Sequence, residues 1–141
     1  TTIAYHDTSV PYLPNLSYHV SISHTKGYAA VLLGEQPVGI DIEYRSERIH
    51  RIKSRFMNEK ELTDLGELNT EQLLVCWSAK ETAFKKMQER VVDLQTDLHV
   101  ISFDYTGNNG FLSIKETFTL ASVVYKIKYV ITPAFILTYS I

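Results

Sequence analysis

The sequence predicts an α+β domain in which a mostly antiparallel sheet packs against one long helix. Two observations predict it: short runs of alternating or continuous apolar residues lie near both ends of the chain, and apolar residues recur at helical spacing between Ser46 and Glu89. The chain has 141 residues, 45% hydrophobic and 21% charged, which is enough for a single buried core. A disordered or collagen-like chain is therefore excluded.

Three strands are predicted in the first third of the chain. Tyr18–Ser23 alternates apolar and polar side chains, as a strand with one buried face does. Tyr28–Leu33 is a continuous apolar run, which predicts a strand buried on both faces. Val38–Glu43 (VGIDIE) alternates again and is the third strand.

Helices are predicted in the middle of the chain and strands in the last third. Two short helices are expected after Ser46, with a break near Asn58. The longest helix is expected from an Asn69 cap, with Gln72 as its capping-box partner, to about Glu89. The remaining residues predict strands over His99–Tyr105, Phe111–Glu116, Phe118–Val130 and Phe135–Tyr139, with a hairpin turn at 107–110.

The charge and composition argue against some classes of binding partner and predict a cellular location. The net charge of −2 argues against a protein that binds nucleic-acid backbones, which normally carries a strongly basic face. The single cysteine, Cys76, cannot form an internal disulfide. The longest apolar run is too short to span a bilayer and the first residues do not resemble a signal peptide, so a cytoplasmic location without a membrane partner is expected.

Two acidic residues in VGIDIE share one face of their predicted strand. Asp41 and Glu43 are two residues apart, so their Cα atoms lie roughly 7 Å apart and their side chains can converge. Like charges so close repel each other, and a hard divalent cation with oxygen ligands relieves that repulsion. The alternative is a strand whose outer face is simply hydrated.

The long helix carries a third carboxylate, Glu81, at the edge of its apolar stripe. Lys85 lies one turn further on, so an ordinary surface ion pair is one interpretation and a ligand site is the other. Upstream, Ser23 and His24 end the first strand, where the imidazole could donate to an anionic oxygen or only serve the fold.

Taken together, these segments resemble a known enzyme family. VGIDIE followed by W-S-x-K-E-x-x-x-K, with S-x-S-H upstream, resembles the 4′-phosphopantetheinyl transferases of the surfactin-synthetase-activating type. The resemblance implies a 4′-phosphopantetheinyl transferase-like fold and a holo-[acyl-carrier-protein] synthase activity. Such an enzyme moves the phosphopantetheine arm of coenzyme A onto a serine of an acidic acyl or peptidyl carrier protein and releases 3′,5′-ADP.

By match to the family motifs, the resemblance implies that Asp41, Glu43 and Glu81 are ligands of Mg²⁺, with Mn²⁺ as an alternative ion. The ion would offset charge on the diphosphate during in-line attack. It further implies contacts to coenzyme A phosphates from Ser23, His24, Lys80 and Lys85.

Two residues are implied in proton transfer. Glu61 matches the glutamate of the family's R-F-x-x-x-x-E motif and is the candidate base for the attacking hydroxyl. Glu59 is two residues earlier and could be confused with it in this assignment. Lys85 is the second candidate for assisting the proton.

Residues 45–55 hold five basic side chains and one acidic one, with Arg48, Arg51 and Arg55 expected on one helical face. This face is either a docking surface for the acidic carrier or an ordinary hydrated helix face.

The sequence also departs from the family pattern. Surfactin-type enzymes contain two similar halves, and the resemblance makes about 1–30 the end of the first half and about 31–141 the second, within one domain over 1–141. The family's Gly-Lys-Pro contact to the adenine end is replaced by Ser9-Val10-Pro11. The chain is therefore expected to be truncated, to be a reduced member, or to form a homo-oligomer that completes the cleft.

Two other functions stay open at this point. A catalytically degenerate relative would keep only the binding of carrier protein. An unrelated Mg²⁺-dependent phosphohydrolase would use the same carboxylates and lysines.

Overall fold

The structure is a computed structural model that describes residues 2–7, 10–89 and 91–141. Its strands are Ala4–Tyr5 (β1), Pro11–Tyr12 (β2), His19–Thr25 (β3), Tyr28–Gly34 (β4), Ile40–Tyr44 (β5), Leu98–Phe103 (β6), Asn109–Glu116 (β7), Val124–Ile131 (β8) and Phe135–Ser140 (β9). Its helical segments are the 3₁₀ helices Glu47–His50 and Lys53–Arg55 and the α-helices Glu59–Leu65 (α1) and Thr70–Met87 (α2).

A five-stranded antiparallel sheet forms the centre of the fold, in the order β5-β9-β8-β7-β6. Helix α2 packs on one face of this sheet, chiefly against β9 and β5. The main core lies between α2 and the sheet and includes Leu73, Ala79, Ala83, Ile114, Ile127 and Ile136, all without solvent exposure. The predicted α+β fold with a mostly antiparallel sheet and one long helix is confirmed.

Helix α2 begins as its cap sequence predicts. Asn69 Oδ1 accepts the backbone N–H of Gln72 at 2.9 Å, and Gln72 Oε1 accepts the backbone N–H of Asn69 at 2.9 Å. This reciprocal capping box satisfies two of the amides that every helix leaves unpaired at its start. The helix ends at Met87, two residues before the predicted end, because Gln88 adopts a left-handed conformation with φ of 59°.

Three predictions for other elements need correction. The helical segments before Asn58 are 3₁₀ helices, and Asn58 itself caps α1. The strand predicted over Phe118–Val130 begins only at Val124, because residues 117–123 form a turn held by the Glu116 carboxylate. Strand β7 starts at Asn109, inside the predicted turn.

The predicted burial of Tyr28–Leu33 is wrong. These residues do form strand β4, which pairs with β3 in a two-stranded hairpin, but Tyr28, Val31 and Leu33 are 45%, 56% and 55% exposed. An apolar run is buried on both faces only where other elements cover both faces, and this hairpin leaves one side of β4 in solvent. The hairpin also crosses residue 30, and a division of the chain there stays a prediction.

The hairpin joins the large sheet through side chains, along a contact that we call the β3–β5 seam. Ser21 Oγ accepts the backbone N–H of Ile40 at 3.0 Å, and Ser23 Oγ accepts that of Ile42 at 3.0 Å. Two serine hydroxyls therefore take the place that carbonyl oxygens hold in a continuous sheet.

Gly39 brings the chain entering β5 against the backbone of α2. A Cβ atom at this position would overlap the carbonyl oxygen of Thr82 and would lie 3.1 Å from the backbone nitrogen of Lys86. Only glycine permits so close an approach, which sets the spacing between β5 and the second half of α2.

None of the helices in the described residues is long and apolar enough to cross a bilayer.

Candidate active site

A groove of about 270 Å³ opens between the β3 strand, the second half of α2 and the N-terminal segment. His24 comes from the end of β3, while Glu81 and Lys85 come from successive turns of α2. The remaining wall includes the apolar side chains Val10, Pro11, Val20, Ile22, Val38 and Phe84. Three of the residues predicted for the site therefore share one cavity. Ser9, the first residue of the stretch that replaces the family's Gly-Lys-Pro contact, lies outside the described residues.

The two carboxylates of β5 do not line this groove, but Asp41 contacts Lys85, which does. Asp41 is buried, and its Oδ1 oxygen accepts the Ser23 hydroxyl and the Lys85 ammonium, each at 3.3 Å. Its Oδ2 oxygen is equally buried and has no hydrogen-bond partner within the described residues. A buried carboxylate oxygen without a donor is costly, and a cation would satisfy it.

The three predicted metal ligands influence one another electrostatically. Burial raises the pKa of Glu43 to about 8, and the charge of Asp41, a side-chain hydrogen bond between Glu43 and Asp41 and the charge of Glu81 act in the same direction, while a hydrogen bond with Trp77 opposes the shift. Within residues 2–7, 10–89 and 91–141, however, no three acidic, histidine or cysteine side chains are already arranged around a single ion position. The chemistry of the donors fits a hard divalent cation, since three carboxylates repel one another and one oxygen is orphaned.

The raised pKa of Glu43 predicts how metal-free stability depends on pH. Between about pH 4.5 and 8 the folded chain holds a proton on Glu43 that the unfolded chain has released, so the free energy of unfolding should fall as pH rises through this range. Glu43→Gln should flatten that fall, because the amide does not titrate. Urea unfolding in chelator at several pH values measures both; equal slopes for the two proteins would contradict the prediction.

Lys85 links the groove to the carboxylates and to the seam. Its ammonium donates to the carbonyl oxygens of Ile40 at 2.9 Å and Ile22 at 3.3 Å, in addition to Asp41. All three of its N–H groups thus have acceptors in the fold, but the side chain stays 26% exposed and lines the groove, so its positive charge can act on an anion there. The alternative prediction, an ordinary surface ion pair between Lys85 and Glu81, does not account for these three contacts.

Lys80 does not occupy the position predicted for it. It has no solvent exposure, and its ammonium donates to Glu61 at 2.8 Å, to Leu94 O at 3.0 Å and to Phe56 O. All three N–H groups are used inside the fold, so the predicted phosphate contact is corrected to a structural role. Burial lowers the pKa of Lys80, and Glu61 opposes that shift.

Glu61 is the partner in this pair and is only 3% exposed. Its Oε1 oxygen accepts the Asn58 N–H of the α1 capping box at 3.0 Å, and its Oε2 oxygen accepts the Val100 N–H at 2.7 Å. A base must reach the proton that it removes. In this structure the Glu61 carboxylate is instead hydrogen-bonded to Asn58 at the start of α1, to Lys80 of α2 and to Val100 of β6.

The predicted basic face of residues 45–55 is divided. Arg48 and Arg55 line a second groove of about 240 Å³ together with Glu43 and Trp77. Arg51 does not line that groove, because the segment forms two 3₁₀ helices rather than one helical face. Arg45 is held by Glu71 at 2.7 Å. Glu43 thus lines this basic groove and not the first one.

Comparison with known proteins decides between the families that such a site allows. The family model of the 4′-phosphopantetheinyl transferase superfamily matches residues 37–136. The chain belongs to this superfamily. No curated protein matches the chain. The matched range includes all three carboxylates and the basic segment, and the superfamily supports phosphopantetheine transfer as the general activity.

Sequence reasoning missed three features of this transferase site. The sequence does not reveal the hydrogen bonds that Ser21 and Ser23 accept from β5, because alternating serines are equally typical of a strand face exposed to water. The place of Trp77 in the groove with Glu43 is not evident from the sequence, because an aromatic residue at helical spacing is typical of the apolar stripe of a helix. The tight approach at Gly39 could have been suspected, since an isolated glycine within a strand pattern often marks close backbone contact.

Proposed function

We propose that this transferase moves the 4′-phosphopantetheine group from coenzyme A to a serine of an acidic carrier protein, with Mg²⁺, and releases 3′,5′-ADP. The observation that carries the proposal is the buried Asp41 Oδ2, which has no hydrogen-bond partner within the described residues. Asp41 also contacts Lys85, which lines the first groove together with His24 and Glu81. Superfamily membership supports the general reaction.

Coenzyme A would occupy the groove that His24 and Lys85 line. The His24 imidazole is a suitable donor to a diphosphate oxygen, the Lys85 ammonium adds positive charge, and both side chains line the same cavity. Val10 and Pro11 give that cavity an apolar wall where the family pattern has its adenine contact. The Ser23 hydroxyl is already bonded to Ile42 and Asp41, so we do not place it on a phosphate.

Asp41, Glu43 and Glu81 would hold the divalent ion, which supplies charge neutralisation on the diphosphate when bound. The transfer itself forms a bond from the carrier's serine oxygen to the phosphorus that bears the pantetheine, and breaks the bond from that phosphorus to the departing 3′,5′-ADP. Lys85 adds positive charge beside the leaving group. Of the two residues predicted to assist the proton, only Lys85 lines the groove.

The carrier protein would dock at the groove of Arg48 and Arg55, where opposite charges speed the encounter. Changing both to glutamine should raise the KM for the carrier about tenfold with kcat little altered, and should weaken the dependence of KM on salt. Arg51→Gln is the matched control, because Arg51 is exposed on the same segment but does not line the groove. Equal effects of both changes would exclude this docking surface.

One observation favours a second candidate, a relative that binds carrier proteins without catalysis. The described residues contain no ready-made group of three metal ligands. This candidate predicts association with the carrier in the absence of transfer.

One assay separates the two candidates. The chain is incubated with coenzyme A, Mg²⁺ and an apo carrier protein, and the carrier is weighed by mass spectrometry. Transfer adds one phosphopantetheine group to the carrier, and a sample with chelator instead of Mg²⁺ should show no gain. Binding of the carrier at unchanged mass would favour the non-catalytic relative and contradict the proposal.

A further inference from the structure

We propose that Ser23 is a positioning residue, whose hydroxyl fixes the Asp41 carboxylate so that its Oδ2 oxygen is the one presented to the cation. The inference rests on the Mg²⁺ site of the proposed function and deepens it. It also changes the expected role of Ser23, from a ligand of coenzyme A to a group that acts through Asp41.

The hydrogen bonds of Ser23 leave its hydroxyl one orientation. A serine Oγ carries a single proton, and here Oγ already accepts the backbone N–H of Ile42 at 3.0 Å. Its proton therefore points to the remaining acceptor, Asp41 Oδ1, at 3.3 Å. Ser23 is buried, so water does not compete readily for this proton.

The same oxygen of Asp41 has a second donor. The Lys85 ammonium reaches Oδ1 at 3.3 Å and is anchored by the carbonyl oxygens of Ile22 and Ile40, one from each side of the β3–β5 seam. With Oδ1 bonded twice, Oδ2 is the oxygen left over, and it is buried without a hydrogen-bond partner in the described residues. Metal-binding carboxylates are commonly held in this way by hydrogen bonds to groups outside the ligand set.

Ser21 provides a matched control within the same strand. Its Oγ accepts the Ile40 N–H at 3.0 Å, the same distance as in the bond that Ser23 accepts from Ile42. Of these two serines, only Ser23 donates a hydrogen bond to the Asp41 carboxylate. Loss of either hydroxyl removes one bond of the seam, and loss of Ser23 alone also releases Asp41.

The test measures Mn²⁺ binding directly, by the loss of the free-ion signal in electron paramagnetic resonance, with and without coenzyme A. Ser23→Ala should raise the Kd for Mn²⁺ about tenfold, the lower end of the effect of removing a group that orients a metal ligand. Without coenzyme A, whose proposed groove Ser21 lines, Ser21→Ala should stay within about twofold of the unchanged chain. Both alanine variants should stay folded, and Ser23→Ala should lower Tm somewhat more because it loses two hydrogen bonds instead of one. Ser23→Thr, which keeps the hydroxyl, should recover most of the affinity.

The results that overturn the inference differ from those that overturn the proposed function. Equal Mn²⁺ affinities of the Ser23→Ala and Ser21→Ala variants would overturn the positioning role while leaving the metal site intact. The same holds if Ser23→Thr keeps its Tm but binds as weakly as Ser23→Ala. If the unchanged chain binds no Mn²⁺ under either condition, the metal site of the proposed function fails, and the inference fails with it.

Discussion

Asp41→Asn is expected to reduce phosphopantetheine transfer about a thousandfold while the domain stays folded. The amide keeps the shape and one acceptor oxygen for Ser23 and Lys85, but it loses the charge that would bind the cation. Several kcal/mol of charge stabilisation by a metal ion correspond to a factor of this size. The measurement is kcat/KM by mass spectrometry of the carrier, with Tm recorded for each protein.

Glu81→Gln should give a similar loss from the helix side of the site. Asp64→Asn is the control, because Asp64 is an exposed carboxylate paired only with Lys60 at the surface, and its loss should leave transfer unchanged. Normal turnover in either the Asp41→Asn or the Glu81→Gln protein would show that the assigned ligand role is wrong.

Lys80→Met is expected to lower the free energy of unfolding by about 3–5 kcal/mol, the usual cost of breaking a buried ion pair by removing one partner. The methionine fills the space of the lysine stem but leaves the Glu61 carboxylate buried without its cation. Urea denaturation monitored by the fluorescence of Trp77 provides the measurement.

A second variant separates the unpaired charge from the lost hydrogen bonds. Lys80→Met combined with Glu61→Gln should be more stable than Lys80→Met alone, because glutamine carries no charge and its single oxygen can still accept the Asn58 N–H of the capping box. The recovery should be incomplete, because the Val100 N–H then loses its acceptor. Lys60→Met breaks the exposed pair with Asp64 and should cost less than about 1 kcal/mol. A Lys80→Met protein as stable as the Lys60→Met protein would refute the structural role of the buried pair.

The local parts of the fold were predictable because their signals are local. Asn69 and Gln72 form the predicted capping box since both members lie within one turn of chain. The burial of Tyr28–Leu33 was not predictable in the same way, because it depends on whether another element covers β4. Likewise, alternation indicated a strand at β3 but not that its serines replace a backbone ladder to β5.

The predictions for the candidate site show the same difference between local sequence signals and contacts of residues distant in sequence. The sequence pattern grouped Asp41, Glu43 and Glu81 as metal ligands, and this stays a prediction, although the charges of Asp41 and Glu81 do contribute to the raised pKa of Glu43. It did not separate Lys85, which reaches the groove, from Lys80, five residues earlier on α2, which is buried. That difference depends on packing against Glu61 and Leu94, which are distant in sequence.

The close approach at Gly39 has a consequence for how this protein can diverge. The strand that bears Asp41 and the helix that bears Glu81 are spaced by main-chain atoms, so no choice of neighbouring side chain can compensate for a residue larger than glycine. A saturation library should therefore reject every replacement at position 39 as strictly as at the acidic positions themselves. If tolerance to mutation were the only evidence, Gly39 would be mistaken for a catalytic residue, although its role is to set the spacing between β5 and α2.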